Sequence, residues 1–389
     1  LHFIGTGPKF FGVTNTSGGK ILVNFGQNPF QAVPPTGFKE LKNSNLETPK
    51  YHGRDKFDVA LSVGTGVPRD IYTSFDQIGL VWGKARSSAY SHRLEDRLRG
   101  AGKGLFSNTT AAEEIRTDSI TDFSPGGFSF GVDAGSGYNQ NDVSYAYWIF
   151  GNDGTEVTNN DGTIPSQVIA DSSGYFSIAT ITGNQTDNQT FGHGLGRVPE
   201  MVIGKSLASG MGWPVWHKDL TSDRYGIFLN SNAAENNPST DYWRPELATN
   251  SVMGLGSNDD ANDNGQTVSF LCFASIEGLS KVFTYKGNGS SYGPYVGCGF
   301  KPRWILLKRI DGTGNWVLHD ATRDGENPSD ALLNNTSSAE ASFAGLDITA
   351  NGFKIRTTDS GYNTSGDTYI GLAIADVAGG GNLPAILGN

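Results

Sequence analysis

Any chemistry in this chain must come from a small set of residues. Six histidines are spread over 389 residues, at 2, 52, 92, 193, 217 and 319, and no two share a metal-ligand spacing. His319-Asp320 and His217-Lys218-Asp219 each set an imidazole beside a carboxylate, the pairing of a general base with its orienting acid. The corresponding stretch upstream reads Glu95-Asp96, so the acid persists where the histidine drifts, and a structural acid is expected. Gly289-Ser290-Ser291-Tyr292-Gly293 fits G-x-S-x-G, but no helix follows, so a hairpin loop is expected instead of a nucleophile elbow. Asp260, Asn262 and Asn264 begin a calcium-loop pattern. The bidentate acid it needs at the twelfth place falls on Leu271, so a plain turn and no cofactor are expected there, with a bound calcium ion as the competing reading. Cys272 and Cys298 cannot build a disulfide scaffold or a four-cysteine zinc site, and read as buried free thiols.

Aromatic residues are the better candidates. Trp213, Trp216 and His217 crowd one segment; Tyr242, Trp243 and Arg244 crowd another. Flat rings flanked by cationic and amide groups are what a sugar-binding face uses. Trp216, His217, Trp243 and Arg244 are therefore the candidate glycan-binding residues, with core packing as the competing reading. A net charge of −10 argues against binding a phosphate backbone. No apolar run approaches the ~18 residues of a membrane helix. The opening LHFIGTGPKF lacks the basic and apolar stretches of a secretion signal.

The elements that would hold these residues repeat along the chain. Three blocks, from Leu80, Met201 and Trp304, each begin with an apolar strand ending in Lys84, Lys205 or Lys308. Each block then ends with Asn, four mostly small residues and Glu: Asn108 to Glu113, Asn230 to Glu235 and Asn335 to Glu340. The interval between lysines changes from one pair of copies to the next, and the interval between asparagines changes with it. Two landmarks moving together mean that a whole domain was duplicated. A lysine ending a strand can reach Asp96 or Asp320 in the next segment, or the recurring Glu. A fold-determining pair is thus expected of Lys84, Lys205, Lys308, Asp96, Asp320, Glu113, Glu235 and Glu340.

Each unit opens with a strand and a Gly-rich turn, from Phe57, Phe176 and Phe283, and closes with a run apolar on both faces: VSYAYWIF, TVSFLCFA and TYIGLAIA. With 53 glycines, 22 Phe, 14 Tyr and 7 Trp, the composition is that of short strands joined by tight turns. The expected fold is all-β, in tandem β-sandwich domains of jelly-roll or concanavalin-like type with minor short helices. Units span 57–150, 175–275 and 283–376, with linkers at 32–56, 151–174 and 276–282 and a tail at 377–389. Residues 1–31 fit no repeat and read as an arm or the last strands of another domain, with Leu1 not the true start of the gene product.

These features carry a resemblance. GGKILVNFGQNPFQAVPPTGFKELKNSNL resembles the last strand and exit of a SPRY (concanavalin-like) domain, as found in tailed-bacteriophage proteins. The three units resemble the uncharacterised β-domain that follows such modules there. The shared features are the TGNG-like turn, the Gly-x-x-Pro lead-in, the strand to Lys, the N-(S/T)-x-x-A-E stretch and the closing strand. The second unit departs from the pattern, with Val252-Met253-Gly254 where Asn-Gly-Phe is expected. The resemblance implies a non-enzymatic structural protein of a virion: a tail fibre, appendage or capsid decoration that adheres to host surface glycans. The alternative is an architectural, oligomeric coat or assembly protein; a polysaccharide-degrading enzyme ranks below both. The partners implied are other virion proteins, copies of the chain itself and host surface polysaccharide, with no nucleic acid and no membrane.

Overall fold

Runs that are apolar on both faces become strands with neighbours on both sides and layers above and below. The computed structural model describes residues 50–376, except 135, 136, 209, 223 and 237–240. In the first unit the closing strand Ser144–Gly151 lies between the opening strand Phe57–Val63 and the lysine strand Ile78–Ala85. A return strand, Arg93–Asp96, follows on the far side of the lysine strand, and Lys103–Phe106 lies beyond it. The same order recurs as Phe176–Thr182, Thr267–Phe273, Met201–Ser206, Pro214–His217 and Ile227–Phe228. It recurs again as Ser280–Lys286, Thr368–Ala375, Pro302–Arg309, Val317–Asp320 and Leu332–Leu333. All these pairings are antiparallel.

Register fixes which residues correspond. Lys84, Lys205 and Lys308 lie opposite Ala146, Ser269 and Ile370 of their closing strands. Leu80 lies opposite Asp96, Met201 opposite His217, and Trp304 opposite Asp320. His217, and not Asp219, therefore stands at the place of Asp96 and Asp320. This corrects the expectation that the acid persists in all three units. The third opening strand begins at Ser280, so residues 276–282 are no linker. Residues 151–174 are not one either: Val157–Asn159 and Ser166–Ala170 extend the second sheet to seven strands. The arm 1–31, most of the segment 32–56 and the tail 377–389 lie outside the described residues.

Alternation along the strands sends side chains to two cores. In the first unit Val81, Tyr145, Tyr147 and Ile149 pack against Phe128 and Phe130 of the unit's second, smaller sheet. In the third, Ile305, Leu307 and Ala373 pack against Val296, Leu346 and Phe353 in the same way. The opposite faces share one core with the middle unit. Trp82, Trp148 and Phe150 meet Phe176, Ile203, Trp213 and Phe273, and also Trp304, Leu306 and Leu372. Trp304 lies 6.1 Å from Trp82 and 5.6 Å from Phe150, and Phe150 lies 5.4 Å from Phe176, centroid to centroid. Each large apolar side chain contributes about 1.5–3 kcal/mol when fully buried, so none of the three sheets keeps its stabilisation alone. The described residues are all-β sandwiches fused through a common core, not beads on linkers. One-turn helices, Asp259–Asn262 and Ser360–Asn363, are the α-helices among them.

Candidate functional site

The recurring residues meet where the three sheets join. The backbone N–H of Glu113 donates to the Leu207 carbonyl at 3.0 Å, that of Glu235 to Ile310 at 3.0 Å, and that of Glu340 to Arg86 at 2.8 Å. Each acceptor lies two residues after a recurring lysine. The contacts run first unit to second, second to third and third to first, a head-to-tail interface that closes on itself. A second cycle runs the other way. Trp213 Nε1 donates to the Phe106 carbonyl at 3.0 Å, Trp316 Nε1 to Phe228 at 2.8 Å, and His92 Nε2 to Leu333 at 3.0 Å. Backbone N–H groups of the same three residues donate to Asn108, Asn230 and Asn335 Oδ1. The asparagines that mark the repeat thus hold the donors of the cycle in place.

The lysines and acids do not pair as expected. Lys84 Nζ donates to the carbonyls of Ala85, Ser88 and Ser337, and Lys308 Nζ to those of Asn232, Ala233 and Arg309. Lys205 Nζ donates to the Met211 carbonyl. Burial pushes Lys84 and Lys205 down to about 8 and, with Arg309 nearby, Lys308 to about 7. The acids are taken by arginines instead. Arg99 bonds Asp96 at 2.6 Å and Glu113 at 2.7 Å; Arg323 bonds Asp320 at 2.9 Å and also Glu340. Asp-x-x-Arg at 96–99 and 320–323 is the signal that would have revealed these partners. In the second unit Leu220 stands at the arginine's place and Glu235 turns to Thr221.

His92, His193, His217 and His319 are buried, neutral linkers. Trp82 Nε1 donates to His92 Nδ1 at 3.1 Å, and an indole can only donate, so the His92 proton sits on Nε2. Backbone N–H groups of Asp219 and Leu195 likewise donate to Nδ1 of His217 and His193, whose Nε2 atoms face the Gly371 and Thr249 carbonyls. His319 lies between Ser329 and the Tyr362 hydroxyl. Burial, then the Lys84 ammonium, pushes His92 down to about 3; burial, then Arg323, does the same to His319. Burial holds His193 and His217 near 4. These folded values lie below the usual 6.5, so between pH 6.5 and about 4 the unfolded chain binds more protons. Stability contributed by these groups is complete above pH 6.5 and is lost as the pH falls through that window. Thermal melting from pH 7 to 4 should show this fall, and His217→Asn should have a shallower slope than the wild type. An equal slope in the two proteins would remove His217 from the account.

The expected glycan-binding residues are not available to a ligand. Trp243 is 0% and Trp216 7% exposed, inside the shared core, and His217 is fully enclosed. Arg244 is spent on Asp241 and Asp187. Rings with no exposed face cannot stack on a sugar, so core packing is the correct reading of this set. The calcium pattern is equally occupied. Asp260 accepts the Gly212 N–H, and Asn262 accepts the Asn184 N–H while donating to the Thr186 and Gly256 carbonyls. Asn264 is exposed beside them. Among the described residues no three His, Cys, Asp or Glu side chains converge on a metal position. Cys272 and Cys298 are free and buried, each pushed up to about 12 by burial.

Asn262 belongs to a set that sequence reasoning missed. Asn139 and Asn363 make the same bonds: Oδ1 accepts from Thr65 or Asn288, and Nδ2 donates to Val67 and Gly131 or to Ser290 and Thr357. Each staples the loop after its unit's opening strand to the end of a strand of the smaller sheet. The repeated Gly-Tyr-Asn at 137–139 and 361–363 was the available signal. Beside the second Gly-Tyr-Asn lies an open groove of about 470 Å³, lined by Val317, Leu333, Phe343, Asp359 and Tyr362 among others.

A domain family of unknown function, DUF7483, matches residues 52–377 without a break. The chain belongs to the DUF7483 family. No curated protein and no solved structure matches it. The DUF7483 span takes in all three units and both stretches expected as linkers, so it covers the fused body whole and not a single repeat. Among its described residues no helix is long and apolar enough to cross a membrane.

Proposed function

We propose that this DUF7483 chain is a non-enzymatic structural component of a bacteriophage virion that adheres to host surface glycans. One observation carries the reading. The glutamates repeated in all three units, Glu113, Glu235 and Glu340, close a cycle between units, whereas positions between the two sheets of a unit differ. Where the first unit buries Arg93 between its two sheets, the third has Val317 beside an open groove. Repetition thus ties the units together, while the third unit leaves open a place that the first unit fills, which suits a scaffold that presents a binding face. A repeated catalytic set would put like ionisable groups at like exposed places, and here they are bonded inside.

The test is binding of the labelled full chain to immobilised bacterial lipopolysaccharides and capsular polysaccharides. Saturable binding without release of reducing sugar is expected. Sugar release would make the protein an enzyme. Firm binding to capsid or tail proteins, with none to any polysaccharide, would make it an assembly protein. The architectural reading has an observation of its own: Leu61 and Val63 are 40% and 55% exposed on Phe57–Val63, an edge strand of its sheet. Light scattering that returns an oligomer would favour it.

A further inference from the structure

The groove in the third unit has a counterpart that the protein fills itself. Arg93 lies opposite Phe106 as Val317 lies opposite Leu333, and Tyr138 precedes the stapling Asn139 as Tyr362 precedes Asn363. In the first unit the Arg93 guanidinium sits 5.3 Å from the Phe106 ring and 5.6 Å from the Tyr138 ring. It bonds Glu95 at 2.8 Å and also Glu114. Glycine at 104 leaves room for it, since a Cβ there would lie 2.3 Å from the guanidinium. A flat cation between two rings, with two carboxylates to neutralise it, closes this place in the first unit.

The third unit keeps one of the two rings, Tyr362, has Leu333 where Phe106 stood, and discards the charges. Val317 is too short to reach across. His319 stands where Glu95 stood, neutral and bonded to the Tyr362 hydroxyl at 2.8 Å, and Ala341 stands where Glu114 stood. Phe343, 39% exposed, stacks on Tyr362 with centroids 5.6 Å apart and planes 25° from parallel. Asn315, Ser338, Ser342, Asp359 and Ser360 surround this floor. Its volume falls in the range of small-ligand sites, about 300–1,000 Å³. With both counter-charges gone, a cation has lost what held it. A neutral ring with an apolar face and several hydroxyls fits the exposed Phe343 ring with a rim of amide, hydroxyl and carboxylate.

We infer that this groove binds a neutral pyranose. The inference rests on the adhesion reading, to which it gives a site. The experiment is saturation-transfer NMR on the full chain with the methyl pyranosides of glucose, galactose, mannose and N-acetylglucosamine. At least one should bind, with Kd of about millimolar order. Phe343→Ala and Ala341→Trp, both at exposed positions, should weaken it about three- to ten-fold, as expected for loss of one stacking contact, with a cooperative melt retained in both and its midpoint unchanged in Ala341→Trp. Tyr292→Ala, an exposed aromatic elsewhere, should leave it unchanged. Absence of transfer to all four sugars, or transfer that survives both groove variants, overturns the inference, as does binding of N-acetyl-tyrosinamide in their place. Polysaccharide binding by the wild type that both variants retain removes the groove but leaves adhesion standing. Methyl pyranoside binding that both variants weaken, with no polysaccharide bound, keeps the groove and ends the adhesion reading.

Discussion

Trp213→Ala should destabilise the whole body by about 3–5 kcal/mol, and the loss should appear in one cooperative transition. The indole is 2% exposed, so truncation removes its buried area and leaves a cavity between the first and second units, in the core that runs through all three. It also removes the donor that serves the carbonyls of Phe106 and Thr109 in the first unit. A buried acceptor left without a partner costs about 1–3 kcal/mol. Trp213→Phe keeps most of the apolar area and loses the donor, so it should cost less than the alanine variant. Urea denaturation followed by far-UV circular dichroism reads both. Three independent sandwiches would respond differently, with the second unit melting early and the other two unmoved. Two resolved transitions in Trp213→Ala would therefore sink the shared-core account.

The second large effect is expected at Arg323. Replacing it with Leu leaves the Asp320 carboxylate buried without its counter-ion, which costs about 3–5 kcal/mol for a broken buried pair. Glu340 suffers less, because Arg86 of the first unit also bonds it at 2.6 Å. The second unit shows that the place has a neutral solution, with His217 and Leu220 where the third has Asp320 and Arg323. Asp320→His combined with Arg323→Leu copies that arrangement and should be more stable than Arg323→Leu alone. The recovery should be partial. Trp148 Nε1 donates to Asp320 at 3.1 Å, whereas His217 donates to the Gly371 carbonyl. Denaturant midpoints of the single and double variants decide it, and a double variant less stable than the single would show that charge is not what the third unit needs there.

The sequence carried the strands and their correspondence further than it carried their partners. Runs apolar on both faces located the three closing strands, because a strand covered on two sides leaves that mark locally. The missing helix after Gly293 kept Ser291 in a loop, where Gly289 takes a left-handed turn with φ of 68°. The asparagines at 108, 230 and 335 marked positions that do fix corresponding donors. The aromatic set misled, since Trp216 and Trp243 look alike in a sequence whether their faces meet solvent or another sheet. Arg99 and Arg323 were overlooked for the opposite reason: their motif was visible, but the second unit lacks it, with Leu220 in its place.

By itself the sequence determined an all-β chain, where the lysine and closing strands of each unit run, and that Lys, Asn and Glu recur in three copies. Those are properties of short segments, fixed by alternation, turn chemistry and self-similarity. Only the tertiary structure decided that the recurring residues bond across units. Glu113, Glu235 and Glu340 reach carbonyls of a neighbouring sheet, and His92, Trp213 and Trp316 reach back the other way. Burial and hydrogen bonding between distant segments depend on how sheets face one another, and no local pattern records that. The same holds for the groove. Val317 is an ordinary strand residue in the sequence, and only the fold shows that it lines a groove at the place that Arg93 fills in the first unit.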